Sequence, residues 1–590
     1  MQDMGEAIGT AATLYEQGDY SRVVEVCRRV LQSREDWRLL HFVGKAAYQL
    51  GRYAQAEESV RRAIRQAAGE ASIHNTLGVI LEAQGRFDEA VAAYGQAVSL
   101  KGDFAEAWLN RAIALTSAGD TQSAERACAQ ALELRPDWAR AHDVMGYVHQ
   151  CKGAFQEAEA SFRRAVELEA GYAEARNHLG AALNRRGDFA AAAAQLRQVV
   201  ATAADYAEGW NNLGISEKGL GRLAEAAACF RRAVELDEGF AQGHYNLGNA
   251  LRETGDCEGA IEAFERAIEW MPDFAWAHWN LSHALLACGR FDEGWRQYAW
   301  RHDKRLGIVT YPHEMDLPRW DGRKFDGRRL LVHYEQGLGD TIQFIRYLPM
   351  VKARGGTVVL EAPRQLFALF RECEGIDELI AAGPDKPAGH FDWMASPLDF
   401  PGIFGTQAET IPARVPYVFA DVDKAQVWWP RLRGTALKIG IVWAGSPDHG
   451  RDAERSCSLE WFGPLARMEG VRAYSLQKGP AAEQLAQCDA AGRIVDLAGD
   501  FEDMSDLAAA MINLDLIISV DTAAAHLAGA MARPVWVVLP FTADWRWMTD
   551  RTDSPWYPTM QLFRQKSRGD WADVFQRVHE ELKKVVKEHV

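Results

Sequence analysis

The pattern of small and apolar positions changes once along the chain. Through the first half, small residues recur in three registered columns at an interval of 34. One column is Gly51, Gly85, Gly119, Gly153, Gly187, Gly221, Gly255 and Gly289, and seven positions earlier stand Gly44, Gly78, Ala112, Gly146, Gly180, Gly214, Gly248 and Ser282. Five positions after each glycine come Ala56, Ala90, Ala124, Ala158, Ala192, Ala226, Ala260 and Gly294. This spacing predicts stacked helix pairs. The small residue lets two helices approach, the glycine ends the first in the left-handed conformation, and the alanine sits where the second crosses it. Gly18-Asp19-Tyr20 takes the same role after a shorter interval, so an atypical first repeat is expected to about Leu31, and about nine repeats to Tyr298.

From about Arg328 the period shortens to apolar runs separated by turns. Leu330–Tyr334 predicts a strand, Gly337–Asp340 a turn, Thr341–Ala353 a helix and Thr357–Leu360 a second strand. A proline-punctuated stretch from Pro384 to Pro430 contains the expected linker. The pattern then restarts with a strand at Lys438–Trp443, a turn at Ala444–Pro447, a helix at Leu459–Met468 and a strand at Val471–Leu476. Leu514–Val520 and Val535–Leu539 predict later strands, with a helix at Ala523–Met531 between them. Two consecutive units of this kind imply an α-solenoid followed by α/β, as two Rossmann-like domains facing each other across a cleft. The expected layout is a solenoid over 1–305, a connector over 306–327, a first α/β domain with linker over 328–430 and a second over 431–590.

Composition narrows the chemistry. At 590 residues the chain is too long for one core, and its net charge of −16 argues against a nucleic-acid groove or an anionic membrane patch. Nine scattered cysteines with no C-x-x-C pair fit a reducing compartment. The first residues carry acids where a signal peptide carries positive charge, and no apolar run reaches membrane-spanning length, so a cytoplasmic chain is expected. Asp421-Val422-Asp423 has the D-x-D form of a metal pair, but it stands alone in the linker and no metal is expected.

Candidate chemistry gathers at strand ends. Asp521 and Thr522 follow a buried strand and open a helix whose first N–H groups can hold a phosphate, with His526 one turn on. The bland reading is a helix cap and a packed histidine. Asp340 at a helix start can be kept ionised as a general base, or it can simply cap the helix. Arg455 and Lys478 fall at strand ends where positive potential would hold a phosphate, or are solvated charges. Trp545 and Trp547 suit a ring contact or packing. Two positions before the small column stand Thr76, Asn110, Val144, His178, Asn212, Asn246 and Asn280. An Asn amide both donates and accepts, so this column suits a grip on peptide units, or bonding within the stack.

The columns resemble the tetratricopeptide repeat, with pieces such as Trp210-Asn211-Asn212-Leu213-Gly214 and Pro136 or Pro272 at the repeat end. Residues 514–534 resemble the donor-site motif of the ADP-heptose:lipopolysaccharide heptosyltransferases at Asp521, Thr522 and His526, with Ala523 where that family usually has Gly. Glu335–Asp340 resembles the segment that carries their catalytic carboxylate, although Pro349 lies farther downstream than their pattern expects. More fully, the chain resembles bacterial glycosyltransferases in which tetratricopeptide repeats precede a two-domain transferase. This match rests on residues 336–344, 443–449, 455–456, 475–479 and 544–547, with Ser446 in place of a usual Asn and Met504 in place of a usual Thr. The architecture is also similar to the nucleocytoplasmic O-GlcNAc transferase, whose catalytic motifs are not evident here.

The resemblance implies a GT-B fold and an inverting, metal-independent enzyme with no cofactor beyond its nucleotide-sugar co-substrate. Asp340 would be the base, and Gly445, Ser446, Arg455, Gln477, Lys478, Asp521, Thr522 and His526 would bind the donor. Asn110, Asn212, Asn246 and Asn280 would form an asparagine ladder gripping an acceptor polypeptide along the concave surface. The acceptor would be Ser or Thr of a protein; some relatives modify flagellin. Two other functions remain: transfer to a lipid or saccharide, and a non-catalytic adaptor with a degenerate transferase region.

Overall fold

The computed structural model describes residues 4–488 and 490–589. The chain divides into two units, Met1–Glu238 and Gly239–Val590. The first unit is all helical, running in pairs from Met4–Glu16 to Leu223–Leu236. The glycine column does what its spacing implies: all eight members have φ between 71° and 88°. The small column is enforced by a bulky residue from the second helix of the same pair. A methyl group added at Gly78 would lie 2.5 Å from Tyr94, and one at Gly146 2.6 Å from Phe162. Any larger residue would force the pair apart. Between pairs, Leu40, Val60, Leu77 and Tyr94 form one continuous apolar cluster, so each repeat buries its face against the next.

The second unit opens with two more helix pairs, Ala241–Thr254 with Cys257–Trp270 and Ala275–Ala287 with Phe291–Tyr298. It then forms two parallel sheets. The first contains β1 (Arg329–His333), β2 (Thr357–Ala362), β3 (Glu378–Ala381) and β4 (Trp393–Ala395), in the order β3-β2-β1-β4. The second contains β5 (Leu437–Val442), β6 (Val471–Ser475), β7 (Ile494–Asp496), β8 (Leu516–Val520), β9 (Val535–Leu539) and β10 (Met560–Arg564), in the order β10-β9-β8-β5-β6-β7. β8 and β9 are buried along their whole length, which is why they read as unbroken apolar runs. One apolar cluster joins Phe291 and Trp295 of the last helix pair, Val332 and Leu360 of the first sheet, and Ile517 and Val537 of the second.

Several boundaries differ from the sequence expectation. The helix expected at Thr341–Ala353 begins earlier, at Leu338, and is broken by a 3₁₀ turn at Ile345–Tyr347. Asp340 therefore lies inside the first helical turn. β4 falls within the stretch read as containing the linker; three residues among prolines give too short a run to register. The helix Val422–Leu432 starts before the expected boundary at 430, and its Lys424 Nζ meets Asp506 at 2.7 Å, which ties it to the helix Met504–Met511 of the second sheet's layer. Asp421 accepts the Lys424 N–H at 3.0 Å, so the Asp421-Val422-Asp423 triplet opens this helix as its cap.

A buried ion cluster fixes the end of β1. Arg301, just past the last repeat helix, lays its guanidinium over the Tyr298 ring and donates from Nε and Nη2 to the two oxygens of Glu335 at 3.0 and 3.3 Å. It also pairs with Asp399, which follows β4. Arg301 is 2% exposed and the Glu335 side chain 0%, so neither charge is solvated. The next residue, Gln336, has φ 63°, a left-handed conformation that a side chain rarely adopts. Such strain persists only where its surroundings hold it, here one residue past the Glu335 anchor.

Candidate functional site

In each sheet the strand order reverses once, between β1 and β4 in the first and between β5 and β8 in the second. Parallel sheets bind ligands beyond the carboxyl ends of the strands at such points. The segments that follow β1, β5, β8 and β9 carry most of the candidate residues, and the second unit brings them together.

After β1, the Asp340 side chain accepts the Gly337 N–H at 2.8 Å and forms an ion pair with Arg546. Arg546, 6% exposed, also donates to Asp544 at 2.8 Å and to Gln343 Oε1 at 2.7 Å. Burial pushes the Asp340 carboxyl above its ordinary range, against the pull of Arg546 and the Gly337 N–H. Burial also works against the charged Asp544, but there Arg546 outweighs it and holds the carboxyl low. Gly339 is packed so closely on the start of the Ala523–Ala530 helix that a methyl group there would lie 2.9 Å from His526 and 3.3 Å from the Ala523 Cα.

After β8, Asp521 is only 17% exposed at its side chain and lies 3.9 Å from His526 Nε2. Burial, then repulsion from Asp544, pushes its pKa up to about 6. Thr522 bonds the Ser519 hydroxyl at 2.9 Å, and its carbonyl accepts from Ala525 and His526. The N–H groups of Ala523 and Ala524 lie in the first turn, where a helix offers them no carbonyl partner. His526 is buried; its Nδ1 meets the Tyr557 hydroxyl at 3.0 Å and its ring stacks on Trp547 at 5.3 Å. Burial and the nearby Arg546 depress it to about 3, so it is neutral at pH 7.

After β5 the chain continues through the turn as a loop to a short helix at Asp452–Arg455, and the helix expected at Leu459–Met468 is a 3₁₀ turn at Leu459–Phe462 followed by a short helix at Gly463–Ala466. Gly445 leaves room for Arg455 and Asp452, whose side-chain atoms would lie 2.3 and 2.5 Å from a methyl group there. Ser446 is exposed and reaches Asp448 at 3.4 Å. Gln477 is expected to touch a donor, yet its Oε1 takes the Trp443 and Ala444 N–H groups and its Nε2 donates to two carbonyls, so it braces the loop instead. Lys478 donates to the Phe501 carbonyl. Trp545 and Trp547 are 2% and 0% exposed and serve as packing. Beside this loop, Ala444, Asp452, Ser456, Gln484 and Trp571 line an open cavity of about 620 Å³.

The asparagine column is occupied within the stack. Asn110 donates to Asn75 at 3.2 Å, Asn212 to Asn177 at 2.9 Å, and Asn280 to Tyr245 and Asn249 at 3.1 Å each. His178 meets Asp143 at 2.8 Å in the same register, 35 residues apart. Asn246 accepts from Gln242 at 3.3 Å. All four asparagines remain partly exposed.

The raised Asp521 carboxyl has a stability consequence. A folded-state pKa of about 6 against 3.8 unfolded means that the folded state binds the proton more tightly, so stability falls as pH rises from 4 to 6. Asp521→Asn is expected to stabilise the protein by about 1–3 kcal/mol at pH 7.5, and less at pH 4.5. Thermal unfolding at the two pH values measures this; a destabilised variant at pH 7.5 would show that the charge is paired, not strained.

Comparison with known proteins supports the helical half. Tetratricopeptide-repeat families match residues 9–71, 43–99, 145–208 and 211–274, with further matches at 81–146 and 275–294. Protein FlbA of Caulobacter vibrioides is 28% identical over 320 residues, which is 50% of this chain and 52% of FlbA, so the chain spans about half the length of this curated relative. Among solved structures, the Cut9–Hcn1 hetero-tetramer of APC/C is similar at 16% identity and TM-score 0.38, over 48% of this chain and 56% of that one. YrrB, described as a TPR protein with an unusual peptide-binding site, is similar at 26% identity and TM-score 0.27, over 32% of this chain and 96% of that one. No helix among the described residues is long and apolar enough to cross a membrane. Tetratricopeptide repeats thus extend from residue 9 to residue 294, followed by a region built on two parallel sheets.

Proposed function

We propose that the protein is a glycosyltransferase of GT-B type that moves a sugar from a nucleotide sugar to a Ser or Thr hydroxyl of a polypeptide held by the repeats. The observation that carries this reading is the convergence of Asp340, Asp521, Asp544, Arg546 and His526 beyond the strand ends of both sheets. Arg455 and the Ala523 and Ala524 N–H groups face the leaving phosphate, and the cavity walled by Trp571 has room for a nucleoside. Asp340 accepts the hydroxyl proton as the hydroxyl oxygen bonds to the anomeric carbon. The bond from that carbon to the phosphate oxygen breaks, and its electrons leave with the nucleotide. Attack opposite the leaving group inverts the anomeric centre. Buried neutral His526 holds the helix start in place through Tyr557 and Trp547.

The test uses the full chain with a panel of sugar nucleotides and Ser/Thr-rich proteins, flagellin among them, read by intact mass and by released nucleotide. Turnover with no donor in the panel, even as hydrolysis, would sink the enzymatic reading. In the same assay, changing Asn212, Asn246 and Asn280 together to Ala should lower acceptor affinity up to a hundredfold while hydrolysis persists. Because Asn212 and Asn280 also bond within the stack, the variant should lose about 1 kcal/mol of stability at each, so the assay belongs well below its melting temperature. Unchanged transfer would remove the column from the acceptor grip.

A further inference from the structure

Two arginines near the catalytic cluster have a buried Nε with no hydrogen bond. Arg252, in the last turn of the repeat helix Ala241–Thr254, is partly buried, and its Nε is buried without a hydrogen bond. Arg564, at the end of β10, donates from Nη2 to the Trp547 and Met548 carbonyls, and its Nε is likewise buried and unbonded. Glu253 acts on Arg252 and Asp550 on Arg564, but among the described residues no salt bridge within 4.0 Å joins either arginine to a carboxylate. A guanidinium N–H held out of water without an acceptor is expensive unless a ligand oxygen completes it.

Contacts around these groups fix where they lie. Gly255, three residues after Arg252, packs against Phe541, 3.1 Å from where its methyl group would be. The carbonyl of the next residue, Thr542, accepts from Arg451 Nη2 at 2.9 Å. Arg568 joins Glu253 at 3.4 Å to Glu454 at 2.6 Å. Thr549 donates to the Ala287 carbonyl at 3.1 Å. The ends of two repeat helices thus border the segment after β9 and the loop after β5. On the second of these helices, His283 donates from Nδ1 to the Trp279 carbonyl at 2.8 Å, so Nδ1 carries the proton. Asp544, Arg252 and Arg546 all act on the buried His283. Arg451, which pairs with Glu454 at 2.7 Å, repels Arg252 while Glu253 attracts it.

We propose that Arg252, with Arg451 and Arg564, receives an oxyanion of the small-molecule ligand, a phosphate or a carboxylate, so that the penultimate repeat supplies part of the active site's ligand contacts. This rests on the reading of the cluster as a nucleotide-sugar site. It gives the repeats a second task besides holding polypeptide: a donor is recognised partly by residues outside the two sheets. A guanidinium suits either oxyanion, because its N–H fork matches the paired oxygens of both.

The experiment titrates the full chain calorimetrically with inorganic pyrophosphate, with glucuronate and with neutral glucose. Wild type should bind at least one anion and not glucose; Arg252→Met should weaken that anion at least tenfold, and Arg252→Lys less. Pyrophosphate sensitivity identifies phosphate as the group, and glucuronate sensitivity a carboxylate. Wild-type affinity in Arg252→Met, or no anion binding by wild type, would overturn the proposal. Arg455→Met run alongside separates the two readings. If it alone weakens pyrophosphate, the donor site stands and the role of Arg252 falls; if neither variant matters, both fall. Arg252→Met should keep its melting temperature, since it removes a guanidinium N–H without an acceptor and keeps the stem. If it does not fold, Arg451→Met gives the same readout from the neighbouring loop.

Discussion

Replacing Asp340 with Asn is expected to slow sugar transfer by about a hundredfold or more with little change in stability. Asn keeps the size and an oxygen for the Gly337 N–H, now held at 2.8 Å, but it cannot take the hydroxyl proton. Arg546 is not left unpaired, because Asp544 remains 2.8 Å from its Nη1. Burial raises the Asp340 carboxyl, so the lost ion pair is partly offset by removing a charge from a poorly solvated place. Wild-type transfer should itself decline on acidification at a pH above the ordinary aspartate range. Steady-state rates and melting curves of both proteins decide the matter. An Asn variant that transfers at the wild-type rate would leave Asp340 as a helix cap.

Arg301→Ala should be the most damaging single change to the second unit. It strands Glu335, whose side chain is 0% exposed, and removes the strongest partner of Asp399. Breaking a buried pair from one side costs about 3–5 kcal/mol, which for a unit of this size is a fall in melting temperature on the order of 10 °C. His302, 3.1 Å from Asp399, cannot reach Glu335 in compensation through any contact seen here. Arg301→Lys should rescue little, because one ammonium cannot serve both Glu335 oxygens and Asp399 in the planar geometry that the guanidinium supplies. A melting curve that does not move would mean that the cluster is solvated in solution.

What was legible in the sequence followed from period and run length. The columns at an interval of 34 fixed the repeat helices because each column has one steric task, as Gly78 facing Tyr94 shows. β1, β5, β8 and β9 registered as apolar runs because both faces are covered. β4 and β7 are three residues each, and β10 reads Met-Gln-Leu-Phe-Arg, so neither length nor apolar content marked them. The site divides in the same way. Asp340, Asp521 and His526 stand at strand ends that the pattern locates. The link from Asp340 to Arg546 spans 206 positions and leaves no periodic trace, although Asp544-Trp545-Arg546-Trp547 was visible as a motif. Gln477 misled because its place at a strand end is right for a ligand contact, while its amide is fully used by backbone groups.

The division of the chain at Glu238 and Gly239 falls inside the repeats, not at their end. Phe291 and Trp295 share one core with both sheets, and Trp295 donates its indole N–H to the Thr406 carbonyl at 2.8 Å. Repeats of one periodic family therefore belong to two kinds of inheritance. Those up to residue 238 form a unit of their own, to which repeats can be added or removed by repeating one helix pair. The last two pairs belong with the sheets, and a recombination joint placed where the periodicity stops would cut through the core they share.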